Sequence, residues 1–222
     1  MKIKNEFENQ ISDSRRLAFF LSLAGGFQDA YSYICRGNVF ANAQTGNIVL
    51  LSGHLISGQF IKAIHYIFPI LAFLSGIYLT EWIQYLYKKN RILHWRQIIL
   101  FFEIVAMVFV GCLPSSMNVL ANIILSFSCA MQVSSFKKFR GITFATTMCI
   151  GNMRNATEFL AQYHIYSQKE SIYKSLHYYG AIAIFSLGSS LGFIFSKLLG
   201  LISIWIAALF LFIGFILMLI KE

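Results

Sequence analysis

Residues 201–220 read LISIWIAALFLFIGFILMLI, twenty positions without a charge. A helix needs about 20 predominantly apolar residues to cross the hydrocarbon of a bilayer. Five further stretches have this character: Leu17 to Ile34, Ala63 to Leu86, Gln97 to Leu113, Val119 to Phe136 and Tyr178 to Ser196. One water-soluble core cannot bury six such blocks. Charged residues make up 12% of the 222, roughly half the share usual in soluble domains. The chain is predicted to be an all-α integral membrane protein.

The net charge of +9 does not point to nucleic acid. The basic residues cluster in short connections such as Lys88-Lys89-Asn90-Arg91 and Lys137-Lys138-Phe139-Arg140, where charge bias sets membrane topology. Cys35, Cys112, Cys129 and Cys149 form no C-x-x-C pair and no metal-ligand spacing with the five histidines. In apolar segments a free thiol acts as a small hydrophobe. No metal, cofactor or enzyme motif is predicted. Arg15-Arg16 followed by an apolar run and Ser22-Leu23-Ala24-Gly25 is like a signal peptide, but the apolar run resumes after Asp29, so an uncleaved first span is preferred.

Two polar segments, Ala41 to Gly58 and Ile142 to His164, decide the number of spans. If both cross there are eight; if both dip in and return there are six. With a cytoplasmic N-terminus, six spans place fifteen Lys and Arg inside and leave Arg36, Lys62 and Lys197 outside. Eight spans give eight inside and nine outside, with Arg154 inside a span. Positive charge favours the cytoplasmic side, so six spans are predicted, with eight as the alternative.

The two halves match at polar positions. Gln28, Arg36-Gly37, Phe40-Ala41 recur as Gln132, Arg140-Gly141, Phe144-Ala145 after 104 positions. Gly46-Asn47 recurs as Gly151-Asn152 after 105, and Lys62, His65-Tyr66 and Gly76 as Lys174, His177-Tyr178 and Gly188 after 112. An internal duplication is predicted: a cytoplasmic tail at 1–16, a first unit at 17–113 and a second at 114–222. Three spans per unit make the second enter from the opposite side. Transporters built this way carry their sites where the units meet.

Candidate site residues follow from cost and position. Asp29, beside Gln28, and Glu103 are carboxylates within spans, expensive enough to raise a functional hypothesis; interfacial roles are the alternative for both. Thr45-Gly46-Asn47 opens an apolar stretch as a re-entrant half-helix does. It either caps the helix or offers free N–H groups to a solute. Gln132, Gly151 and Asn152 are the second-unit counterparts, and Arg154 faces either Glu158 at i+4 or Asp29. His65-Tyr66 and His177-Tyr178 read as interfacial anchors.

Gly26-Phe27-Gln28-Asp29-Ala30, then Val39-Phe40 and Thr45-Gly46-Asn47, resemble the YoaK-like family of bacterial membrane proteins, a family of unknown function. The likeness covers nearly the whole chain. Thr146 to Asn152 looks like the family's second T-G element, with Ile150 where a Thr is expected. The resemblance implies an inner-membrane location and about six spans; it supplies no substrate. The expected partners are membrane lipid and an unknown small solute or ion, with homo-oligomerisation open. The functional expectation is a small-solute or ion transporter or channel. The alternatives are a non-transporting sensor, scaffold or assembly factor, and a membrane-embedded lipid enzyme.

Overall fold

A computed structural model describes residues 15–87, 95–139, 142–143 and 146–219. Lys2, Lys4, Lys88, Lys89, Arg91, Arg140, Gly141, Phe144, Ala145 and Lys221 lie outside the described residues. Eight α-helices occur among the described residues. The first half has α1 (Arg15–Cys35), α2 (Gln44–Ile56), α3 (Phe60–Tyr87) and α4 (Trp95–Cys112). The second has α5 (Asn118–Ser135), α6 (Cys149–Tyr166), α7 (Lys169–Leu199) and α8 (Ile204–Leu219). Two-residue strands at 138–139 and 142–143 pair antiparallel before α6.

Four helical runs are long and apolar enough to cross a membrane: Phe60–Tyr87, Trp95–Cys112, Ser115–Ser135 and Lys169–Leu219. The last joins α7 and α8 through a 3₁₀ turn at Gly200–Ser203. The α1 helix has the length, but Ser22, Gln28, Asp29 and Ser32 dilute its apolar run. Its position accounts for that composition. Every residue from Leu21 to Ser32 is buried, so the polar groups of this stretch face protein.

The packing exchanges partners between the halves. The α1 helix packs on α7 and α8, while α5 packs on α3 and α4. Glycines make these crossings close. A Cβ on Gly188 would lie 2.0 Å from the Leu23 carbonyl oxygen of α1, and one on Gly76 would lie 2.5 Å from that of Phe127 in α5. A Cβ on Gly26 would lie 2.0 Å from the Phe185 carbonyl oxygen.

Contacts along the helices fix their directions. Gln28 of α1 and Arg36 just after it meet Glu103 and Val110 of α4, so these helices run parallel. The same two residues meet Cys129 and Asn122 of α5, so α1 and α5 run antiparallel. Leu23 and Phe27 lie against Gly188 and Gly192, making α7 parallel to α1. Gly76 packs on Phe127 and Glu81 pairs with Lys137, making α3 parallel to α5. Trp205 reaches Val108 while Phe215 lies on Phe101, so α8 opposes α4.

Candidate functional site

The α1–α2 connection does not stay at the end of α1. Ala41 N–H donates to Ser32 Oγ at 3.1 Å, Asn42 N–H to Asp29 Oδ1 at 2.6 Å, and Asn42 Nδ2 to the Gly25 carbonyl at 3.3 Å. Each successive bond is deeper along α1, so the chain turns back and starts α2 beside the helix midpoint. Asn47 braces this return: its Oδ1 accepts from Phe40 N–H at 2.9 Å, and its Nδ2 donates to the Phe40 carbonyl at 2.7 Å and to Gln44 Oε1 at 2.9 Å. Its amide is thereby committed to structure. A Cβ on Gly46 would touch two Phe40 ring carbons at 3.0 Å, so this glycine serves the same turn.

The chain before α6 reaches the same depth from the other half. A Cβ on Gly25 would lie 2.3 Å from Thr147 Cγ2, so Gly25 touches both returning segments. Around this point lies a cavity of about 610 Å³, lined by Asp29 of α1, Asn42 and Thr45 at the start of α2, and Thr147, Cys149 and Gly151 at the start of α6. The rest of its wall is mainly aromatic and apolar, including Phe73 of α3 and Phe185 and Phe193 of α7.

The residues of a second polar cluster do not line this cavity. Glu103 is fully buried and accepts from Gln28 Nε2 at 3.1 Å. In the amide orientation that satisfies its neighbours, Gln132 Nε2 donates to Glu103 Oε1 at 2.8 Å and Oε2 at 3.1 Å, while its Oε1 accepts from Thr146 Oγ1 at 3.3 Å. The Cys129 thiol donates to Gln28 Oε1. Arg36, 1% exposed, donates to the carbonyls of Val110 at 2.7 Å and Leu113 at 3.1 Å and to Asn118 Oδ1 at 3.2 Å. It caps the carbonyl end of α4, where a cation is favoured.

A protein-family model described as "Protein of unknown function (DUF1275)" matches residues 17–217. The chain belongs to this family. A search of curated proteins and a search of solved structures find no match. Membership spans both halves of the chain and assigns no chemistry, so the residues themselves carry the functional argument.

The ten sequence-predicted site residues separate into groups. Asp29, Thr45 and Gly151 share the cavity. Gln28, Glu103 and Gln132 form a buried cluster, and none of the three lines this cavity. Gly46 and Asn47 hold the turn before α2, and Asn152 is buried in α6. Arg154 pairs with Glu158 at 2.7 Å on an exposed face, away from Asp29. Tyr66 and Tyr178 are 5% and 3% exposed and stack on His54 of α2 and Phe159 of α6.

Asn42 and Thr147 were not singled out from sequence. Each is a polar residue in a returning segment, a few positions before Gly46-Asn47 or Gly151-Asn152. Each has a buried side-chain oxygen without a hydrogen-bond partner, Asn42 Oδ1 and Thr147 Oγ1.

Proposed function

We propose that this chain is a six-span inner-membrane transporter or channel for a small solute, with the cavity between α2 and α6 as its site. One observation carries the reading: the starts of both polar helices and the Asp29 carboxylate line a single cavity. Re-entrant segments that meet within a bundle, lined by polar groups, are the arrangement in which non-spanning backbone is tolerated at membrane depth.

Helix direction supports six spans. The α3 helix runs opposite to α1 and α7 opposite to α5, which agrees with α2 and α6 entering and returning on one side. The α2 helix, at 13 residues, is about 20 Å long and shorter than the hydrocarbon is thick.

Matched contacts support two inverted units. Gly188 on Leu23 and Gly76 on Phe127 are related by intervals of 112 and 104. Tyr178 on Phe159 and Tyr66 on His54 are related by 112 and 105. These are the intervals at which the sequence repeats, and the related helices run antiparallel. The YoaK-like resemblance agrees with membership in a family of unknown function and with this membrane reading.

The test is solute uptake into proteoliposomes, screened across chemical classes, with a plugged variant as control. A Cβ on Gly151 meets nothing within 4 Å, and the residue lines the cavity. Gly151→Trp therefore fills the site without forcing the backbone apart. It is expected to abolish flux while leaving the detergent melting temperature within a few degrees of wild type. Undiminished flux in this variant overturns the assignment. The Asn42–Asp29 bond favours a second reading, a non-transporting scaffold or sensor, and absence of flux across the whole screen would select it.

A further inference from the structure

We propose that the cavity binds an organic ammonium ion with an apolar body; this rests on the cavity being the solute site. The inference begins with what the wall lacks. Among the described residues Asp29 is its only charged side chain. Asn42 is 9% exposed and its Oδ1 has no donor; Thr147 is 7% exposed and its Oγ1 has no partner. Buried polar groups are normally satisfied, and an orphan calls for an explanation such as a bound species.

The orphans constrain that species. A carbonyl oxygen accepts only, and a carboxylate attracts positive charge, so a ligand complementary to both donates hydrogen bonds and carries positive charge. The Thr147 hydroxyl serves either way. An ammonium group has three donors and no acceptor, matching Asn42 Oδ1, Thr147 Oγ1 and Asp29 in number and polarity.

The remaining wall defines the body of the ligand. Tyr33 and Phe40 stack at 4.9 Å between ring centroids and line the cavity with Phe73, Phe185 and Phe193. Aromatic faces attract cations within about 6 Å of the ring centroid and bury hydrocarbon. A bare metal ion is a poor fit: hard cations take six or more oxygens, and among the described residues no group of three or more His, Cys, Asp or Glu is placed to hold a metal. An anion would meet Asp29. A volume of about 610 Å³ lies within the range of small-molecule pockets.

The test measures binding rather than flux. Purified full-length protein in nanodiscs is titrated calorimetrically with 2-phenylethylammonium, 2-phenylethanol and 3-phenylpropionate, which share an apolar body and differ in the head group. The ammonium is expected to bind at least tenfold more tightly than either. Asp29→Asn should weaken it tenfold or more, and Thr147→Val about fivefold, the ranges for charged and neutral hydrogen bonds. Protection of Cys149, which lines the cavity, from a maleimide by the ammonium should follow the same order.

Tighter binding of the alcohol or carboxylate overturns the proposal, as does binding of none of the three. If Asp29→Asn does not fold, Thr147→Val decides, and unchanged affinity there overturns it. A protein that ignores the ammonium yet carries another solute into liposomes loses only the ligand assignment. One that binds it but supports no flux loses only the transport reading.

Discussion

Gln28 of α1 and Gln132 of α5 donate to the same carboxylate, Glu103 of α4, at 3.1 and 2.8 Å. They lie 104 positions apart on antiparallel helices, so one acidic residue ties the two halves together in the interior. Glu103→Ala removes the shared acceptor and strands two buried amide donors, an expected loss of about 2–5 kcal/mol. Glu103→Gln keeps the volume and one acceptor oxygen and should lose less than half as much. Denaturant titration in mixed micelles compares them, and equal losses would show that the amides are not held by this group.

The close helix crossings are expected to separate the glycines sharply. Ala at Gly76 or Gly188 drives a methyl into a backbone carbonyl of the facing helix, an overpacking cost of about 1–3 kcal/mol or more. Gly180 lies in the same helix as Gly188 with nothing within 4 Å of its Cβ, so Gly180→Ala should leave the melting temperature unchanged or raise it. Detergent melting curves of the three variants provide the check; a Gly188→Ala protein as stable as Gly180→Ala would refute the crossing.

Arg36 is buried against backbone carbonyls, and among the described residues its hydrogen-bond acceptors include no carboxylate. Its planar fork spans Val110 and Leu113 at the end of α4, a geometry that a single ammonium cannot reproduce. Arg36→Lys should therefore recover less than half of the stability lost in Arg36→Met, measured by the same melting curves. Full recovery by Lys would mean that charge alone matters there.

Topology has its own test. Single cysteines at Lys89 and at Lys137, on a background without the native four, are expected to resist an impermeant maleimide in intact cells and to react once the membrane is opened. Labelling of either from outside would end the six-span arrangement.

The sequence by itself determined that the chain forms long apolar helices of membrane-spanning character, and its polar positions recur at intervals of 104, 105 and 112. Bilayer length and charge bias are local properties that survive without coordinates. Gln, Arg-Gly and Gly-Asn recurring at fixed intervals stand out against a composition in which apolar matches are cheap. Asp29 and Thr45 were also legible, because polar groups in apolar stretches carry a cost that needs a reason. Only the tertiary structure decided that α1 and α5 exchange partners between the halves, and that Glu103 is a tie while Asp29 faces a cavity. The same structure committed Asn47 to bracing Phe40 and left Asn42 Oδ1 and Thr147 Oγ1 as the orphans. Which group a buried polar atom meets is settled by helices up to a hundred residues away in the chain. Hydropathy records that such an atom needs a partner; packing alone determines which partner it has.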